Sequence, residues 1–178
     1  MFMQPLPSSA TLPESFVPVG DLPDWTQTMR RATHAHHTGQ LVVALAHYQS
    51  ALAMARSLLA SSHDGESEGE STVSDTQADA RLSALVSSHR CLADLQSDQG
   101  CPELAAGTLA QVHTVLLGLL RQYPQAHAWH RAAVWHCRDT HAALLAHWAE
   151  YGAHPDIDRA MRAGCLPWGL VSAGTSRH

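Results

Sequence analysis

At residues 39–52 the chain reads GQLVVALAHYQSAL, a glycine followed by a helical run with one apolar face. From this stretch onwards, apolar residues recur at alternating spacings of four and three: Leu41, Leu45, Tyr48, Leu52, Ala55 and Leu59. That spacing places them on one stripe of a helix. Glycine readily takes the left-handed conformation in which many helices end. The stretch therefore predicts the second arm of a helical hairpin that turns at Gly39.

The same signals divide the rest of the chain into helices. We predict five main helices and a short sixth one, over residues 24–37, 41–60, 76–97, 102–122, 125–151 and 156–163. Asp24 to Gln27 has the form of a capping box. Gly100 ends the third helix, and Pro102 suits the first turn of the fourth, where its missing N–H costs nothing. No alternating apolar and polar stretch indicates a strand, so the predicted fold class is all-α.

Three segments flank or interrupt this single helical domain of residues 24–163. Residues 1–23 hold five prolines, which predicts an extended, flexible arm. Residues 61–75 are rich in Ser, Glu and Gly and hold too few apolar groups to order themselves, which predicts a disordered acidic loop. Residues 164–178 are expected to form a loose tail. The net charge of -5 reflects this acidic loop, since the remainder is nearly neutral.

Both central glycines are followed by the same pattern of small and large residues. The positions five, nine and twelve residues on are Ala44, Tyr48 and Ala51 after Gly39, and Ala105, Leu109 and Val112 after Gly100. This resembles the tetratricopeptide repeat, in which small residues let two helices pack closely. The resemblance implies antiparallel helix hairpins stacked as a short right-handed solenoid, because one hairpin cannot cover its own outer face.

The chain departs from the repeat at several positions. Arg31 stands where the repeat usually has Leu, and Arg56 where it often has Pro. The acidic insert lies between Gly39 and Gly100, so these glycines are farther apart than the roughly 34 residues that separate equivalent positions in a tandem array. The whole layout is also similar to a bacterial family of small tetratricopeptide-like proteins, through HYQSAL at 47–52 and SSHRCLADLQSDQG at 87–100. That similarity implies no known activity.

The fifth predicted helix is apolar on nearly all sides. Its large apolar residues are Trp129, Val134, Trp135, Leu144, Leu145 and Trp148. A helix of this kind is normally enclosed by its neighbours. By default the tryptophans are expected to be core residues, with Trp168 in the tail as a candidate exposed anchor.

The architecture predicts a cytoplasmic interaction module, an adaptor or chaperone-like protein that binds a peptide or helix in a concave groove. The residues expected to contact the partner are the arginines and aromatics Arg30, Arg31, Tyr48, Arg90, Trp129, Arg131, Trp135 and Arg138. No basic face indicates nucleic acid, and no apolar run of 18 residues indicates a membrane. No cofactor is expected, and a homodimer is left open.

An alternative function is transition-metal binding. His130, Cys137 and His141 share one face of the fifth helix and could offer imidazole and thiolate ligands to zinc or copper. The opposing interpretation is that these are surface polar residues. The same histidines would also allow a groove that responds to pH.

An enzyme is not expected from this sequence. The G-x-S-x-G, P-loop, G-x-G-x-x-G and H-E-x-x-H patterns do not occur. Cys91, beside His89 and Arg90, is the best candidate for a reactive thiol, against the alternative of a buried, inert one. The four cysteines are widely spaced with no C-x-x-C pair, which is typical of reduced thiols.

Overall fold

A computed structural model describes residues 22–61 and 73–169 of the chain, with side chains as far as Gly164. It contains six helices: α1 (Leu22–His37), α2 (Leu41–Ala60), α3 (Asp75–Asp98), α4 (Pro102–Gln122), α5 (Ala128–Tyr151) and α6 (Pro155–Gly169). These two stretches contain no strand. The all-α fold class is therefore confirmed, and both ends of α2 and α4 lie where the sequence predicts them.

Three helix ends differ from the prediction by more than one residue: the start of α1, the start of α5, which is at Ala128 and not 125, and the end of α6. α1 begins at Leu22, so Asp24 lies in its first turn instead of capping it. A capping box does precede α3, where the Ser74 hydroxyl accepts from the Gln77 N–H and the Gln77 side chain accepts from the Ser74 N–H, both at 3.2 Å. α6 continues through Gly164, which corrects the predicted loose tail as far as Gly169.

The continuation of α6 has a physical reason. A Cβ built at Gly164 would lie 3.6 Å from His113 Nε2 and 3.9 Å from the Leu117 methyl groups on α4. These are ordinary van der Waals distances, so α6 packs on α4 at Gly164, and this packing carries the helix past the glycine. Leu22 and Pro23, the last two residues of the predicted arm, are helical. Residues 1–21, most of the acidic loop and the end of the tail lie outside the described residues, and Trp168 lies beyond the described side chains.

The odd-numbered helices form one layer. Two side-chain hydrogen bonds join α1 to α3, between Trp25 and Ser88 and between His36 and Asp98, and two join α3 to α5, between Asp75 and Arg131 and between Asp79 and His136. Residue numbers rise together across each pair. α1, α3 and α5 therefore run parallel, side by side.

The even-numbered helices lie on the other side. Arg56 on α2 donates to the Gln111 side chain on α4 at 2.8 Å, and Arg121 on α4 donates to the Ala163 carbonyl of α6 at 3.2 Å. α6 packs chiefly on α4 and touches α5 at only a few positions. Because α6 lies beside α4, it leaves much of α5 uncovered.

Arg56 connects three helices at once. His89 Nδ1 donates to the Leu85 carbonyl at 2.9 Å, so His89 Nε2 is an acceptor and lies 3.5 Å from the Arg56 guanidinium. The arginine that departs from the repeat pattern thus links α2 to α3 and α4.

The core is built from helix stripes with spacings of three and four residues. One stripe of α3 is buried throughout: Leu82, Leu85, Val86, His89, Leu92 and Leu95. Alanines at the α1–α2 crossing, including Ala32 and Ala44, are fully buried and let the helices approach closely. Leu104, in the first turn of α4, is 61% exposed.

One described helix, α4, is long and apolar enough to cross a membrane by length and composition alone. Half of its most apolar window is buried among the other helices. A core helix of a bundle meets the same two criteria, so α4 is weak evidence for a membrane span.

Candidate functional site

Several exposed large hydrophobic residues lie on α5. Trp135 is 62% exposed, Trp148 48% and Leu145 40%. Arg138, Ala142, Leu145 and Ala149 follow Trp135 at spacings of three and four residues, so they form one strip. The expectation that α5 would be enclosed is therefore wrong, because α6 packs on α4 and leaves this side open.

A trough lies beside this strip, with α4 as its floor and α5 and α6 as its walls. Its volume is about 440 Å³. The lining is mostly apolar and comprises His113, Leu117, Leu120, Val134, Cys137, Arg138, His141, Met161 and Gly164. Concave sites of roughly 300–1,000 Å³ with apolar walls and a few polar groups are typical of ligand-binding pockets.

His113 supplies a hydrogen-bond acceptor to this trough. The Thr140 hydroxyl has one proton, which it donates to a carbonyl of its own helix, that of His136 at 3.1 Å or Cys137 at 3.2 Å. We assign the Thr140 proton to a carbonyl of its own helix, the usual partner of a helical threonine hydroxyl, which makes Thr140 Oγ1 the acceptor of His113 Nδ1–H at 2.8 Å. The proton on Nδ1 leaves Nε2 as a lone-pair acceptor on the side of Gly164.

The His113 imidazole stays neutral at physiological pH. Its side chain is buried, and burial lowers its pKa to about 4, with a smaller contribution from the nearby His141 ring. The centroids of the two rings are 5.9 Å apart. His113 therefore offers the trough an uncharged acceptor.

Two further groups define the chemistry of the trough. Burial raises the pKa of the Cys137 thiol to about 11, so this thiol is protonated and is a poor nucleophile and a poor metal ligand at neutral pH. The Arg138 guanidinium lies 5.9 Å from the centroid of the Trp135 ring. Within the described residues, no carboxylate pairs with Arg138.

A family model described as "Protein of unknown function (DUF2753)" matches residues 23–168, most of the chain. The chain belongs to the DUF2753 family. No curated protein and no solved structure matches it. The matched range runs through all six helices, so it includes both the exposed side of α5 and the trough.

Two residues predicted for the groove of this DUF2753 protein lie in its core. Tyr48 is 2% exposed and packs between α1 and α2, where its hydroxyl lies 3.5 Å from Thr33 Oγ1 and its ring meets the edge of His36. Trp129 is 0% exposed. Neither side chain has a surface to offer a partner, which corrects the predicted set.

The predicted arginines do not share one groove. Arg30 and Arg31 are exposed on α1, and Arg131 is ion-paired with Asp75 on α3. Arg90 lines a groove between α3 and α5 of about 350 Å³. The carboxylates lining that groove are Asp94, Asp98 and Glu150, so it is more acidic than the prediction of a basic groove. Trp135 and Arg138 do lie together, on the open side of α5.

The predicted metal ligands are not brought together. His130 Nδ1 is bonded to the Tyr123 carbonyl at 3.0 Å, and His130 does not line the trough that contains Cys137 and His141. Among the described residues, no group of three or more His, Cys, Asp or Glu side chains is arranged to hold a metal ion. The three residues predicted to bind zinc or copper therefore do not form a common site in the described part of the chain.

The candidate reactive thiol is also in an unfavourable setting. Burial raises the pKa of Cys91, and nearby Asp94 raises it further. Burial lowers the pKa of the neighbouring His89, whose Nε2 faces Arg56. A protonated thiol without a free base is the inert alternative stated from the sequence.

Sequence reasoning missed His113 and the trough. The available signal was a histidine within the apolar stripe of α4, between Val112 and Leu116, where an imidazole must find a buried partner. That partner, Thr140, lies on another helix, and no local pattern identifies it.

Proposed function

We propose that this DUF2753 protein is a cytoplasmic interaction module with tetratricopeptide-like stacking, and that it binds an amphipathic partner helix on the open side of α5. The observation that carries the proposal is the exposure of Trp135 and Leu145 on one strip of α5 beside the apolar trough, with Trp148 exposed next to Leu145. Contiguous exposed apolar surface on a soluble protein usually marks an interaction site.

Two aspects of the architecture support tetratricopeptide-like stacking. The odd-numbered helices run parallel in one layer, with the even-numbered helices on the other side, as in stacked helix hairpins. Gly39 and Gly100 have φ of 74° and 75°, so each of the two hairpins turns at a glycine in the left-handed conformation.

The proposed cytoplasmic location is supported by the cysteines. The free thiols Cys91, Cys101 and Cys137 are in keeping with a reducing compartment.

The chemistry of the strip indicates the kind of partner. Tryptophan and arginine are the residues that most often dominate the binding energy of protein interfaces. Trp135 and Arg138 provide both, with the guanidinium over the indole ring and no carboxylate paired with it among the described residues. The matching partner is a helix with apolar residues at spacings of three and four and an Asp or Glu opposite Arg138.

The test is selection of helical peptides from a display library on the wild-type protein. We expect enriched peptides to carry an apolar stripe and at least one acidic residue. The variant Leu145→Glu should weaken binding of a selected peptide about tenfold or more, because it places a charge in the apolar strip. The variant Arg138→Gln should weaken acidic peptides more than their amide counterparts.

Val42→Glu is the matched control, since Val42 is 81% exposed on α2, away from α5. It should leave peptide affinity unchanged. Failure to enrich any peptide above an empty-display control, or an equal loss of affinity in Val42→Glu and Leu145→Glu, would sink the proposal.

A further inference from the structure

We propose that the trough between α4, α5 and α6 is a binding site for a small amphipathic acid, a molecule with a hydrocarbon body, a hydroxyl or N–H donor on that body, and a carboxylate. The trough shares Arg138 with the strip of α5, but its other lining residues and its class of ligand are different. The assignment therefore does not depend on the binding of a partner helix.

The hydrogen-bond acceptor of the trough, His113 Nε2, indicates that the ligand carries a hydrogen-bond donor. His113 is 3% exposed, and its Nδ1 is bound to Thr140 at 2.8 Å. Its Nε2 makes no hydrogen bond with the described residues and lies against the Gly164 side of the trough. This atom is not among the enclosed polar atoms that lack a partner, so it is open to the trough. A ligand that brings an O–H or N–H to it gains a hydrogen bond within an apolar lining, which a plain hydrocarbon chain cannot make.

The positively charged Arg138 indicates that the ligand carries a negatively charged group. Arg138 lines the trough and is exposed, and it has no carboxylate partner among the described residues. Guanidinium groups bind carboxylates through paired, charge-assisted hydrogen bonds. No acidic side chain of the described residues lines the trough to oppose an anionic ligand.

The rest of the lining specifies the body of the ligand. Leu117, Leu120, Val134 and Met161 surround the space, and the volume of about 440 Å³ suits a small molecule. Cys137 contributes a protonated thiol, which behaves as a small apolar group. A hydrocarbon chain of medium length fills such a space by removing apolar surface from water.

The experiment is calorimetric titration of the full chain at pH 7 with four probes: decanol, decanoate, and decanoates with a hydroxyl at the third or at the terminal carbon. We expect the acids to bind with Kd below about 1 mM, and at least one hydroxydecanoate to bind about three- to tenfold more tightly than decanoate. The two positions of the hydroxyl sample different distances between donor and carboxylate.

Three variants connect each part of the ligand to its partner. Arg138→Gln should weaken the acids about tenfold or more and leave decanol unchanged. His113→Phe should remove the gain from the hydroxyl without weakening plain decanoate, because the phenyl ring keeps the volume and removes Nε2. Gly164→Val should weaken all four probes, because its side chain enters the space near His113.

Leu145→Glu, on the outer strip of α5, is the control that separates the trough from that strip, and it should not change probe affinity. Absence of binding by every probe overturns the assignment. Equal affinity of decanoate and both hydroxydecanoates, or a hydroxyl gain that survives in His113→Phe, also overturns it. Arg138→Gln is an exposed substitution, so it provides a test even if His113→Phe does not fold.

Discussion

The indole nitrogen of Trp25 donates a 2.8 Å hydrogen bond to the hydroxyl of Ser88, which lies 63 positions further along the chain. The Ser88 hydroxyl donates its own proton to the Ala84 carbonyl at 2.8 Å, so it is the acceptor for Trp25. Ser88 is fully buried in α3. This bond therefore attaches the first helix to the middle of the third.

We expect the Trp25–Ser88 hydrogen bond to contribute about 1 kcal/mol to the free energy of unfolding. The variants Trp25→Phe and Ser88→Ala, alone and together, form a double-mutant cycle measured by urea denaturation. A coupling energy of about 1 kcal/mol is the expected result. A coupling energy indistinguishable from zero would show that the bond does not stabilise the attachment of α1.

Trp129 and Trp135 lie on one helix and should differ sharply in their contributions to stability. Trp129 is 0% exposed, so Trp129→Ala should cost about 3–5 kcal/mol through lost contacts and a cavity. Trp135 is 62% exposed, so Trp135→Ala should cost less than about 1 kcal/mol. Chemical denaturation of both variants checks this, and equal losses would contradict the burial of Trp129.

Replacing each of two glycines by alanine should change the stability in opposite directions. Gly100 has φ of 75°, a conformation that strains an L side chain, so Gly100→Ala should destabilise by about 1–2 kcal/mol. Gly118 lies inside α4, and a Cβ added there would have nothing within 4 Å, so Gly118→Ala should stabilise by about 0.5–1 kcal/mol. Thermal unfolding of the pair measures both effects. The same sign in both variants would refute the left-handed turn at Gly100.

Stability should fall as the pH drops from about 6.5 towards 4. Burial lowers the pKa of His113 to about 4, whereas an unfolded imidazole titrates near 6.5. Between these values the unfolded chain binds a proton that the folded chain does not, so acid favours unfolding. We expect His113 to account for about 1–2 kcal/mol between pH 7.5 and 5, after allowance for water in the open trough.

Urea denaturation at the two pH values, on wild type and His113→Phe, measures this contribution. The variant should lose less stability at pH 5 than the wild type does. Burial also lowers the pKa values of His89 and His147, so a smaller pH dependence should remain in the variant. His34→Gln, at an exposed position on α1, is the control and should behave like wild type. Identical pH dependence in His113→Phe and wild type would contradict the buried, neutral imidazole.

The helices are predictable because their signals are local. The turn at Gly39, the proline at the start of α4 and the stripe of α3 all act within a few residues of the chain. The continuation of α6 through Gly164 is not predictable, because it depends on a contact with another helix. A helix-breaking propensity of about 1 kcal/mol is outweighed where the helix packs against a neighbour, and that packing is not local.

The candidate site is only partly predictable. Trp135 and Arg138 lie together on the fifth helix, yet Tyr48 and Trp129, which the sequence predicts for the same surface, are buried. A single helix cannot reveal which of its apolar sides its neighbours cover. His113 was not identified from the sequence because its partner Thr140 is 27 residues away, on α5.

The sequence by itself determined the number of helices, most of their bounds and the left-handed turns between them, because backbone propensity and the 3.6-residue period act over short distances. Only the tertiary structure decided which surfaces remain open. The packing of α6 on α4 leaves Trp135 and Trp148 exposed and opens the trough beside His113. Burial is a property of distant neighbours, so it depends on how the six helices assemble.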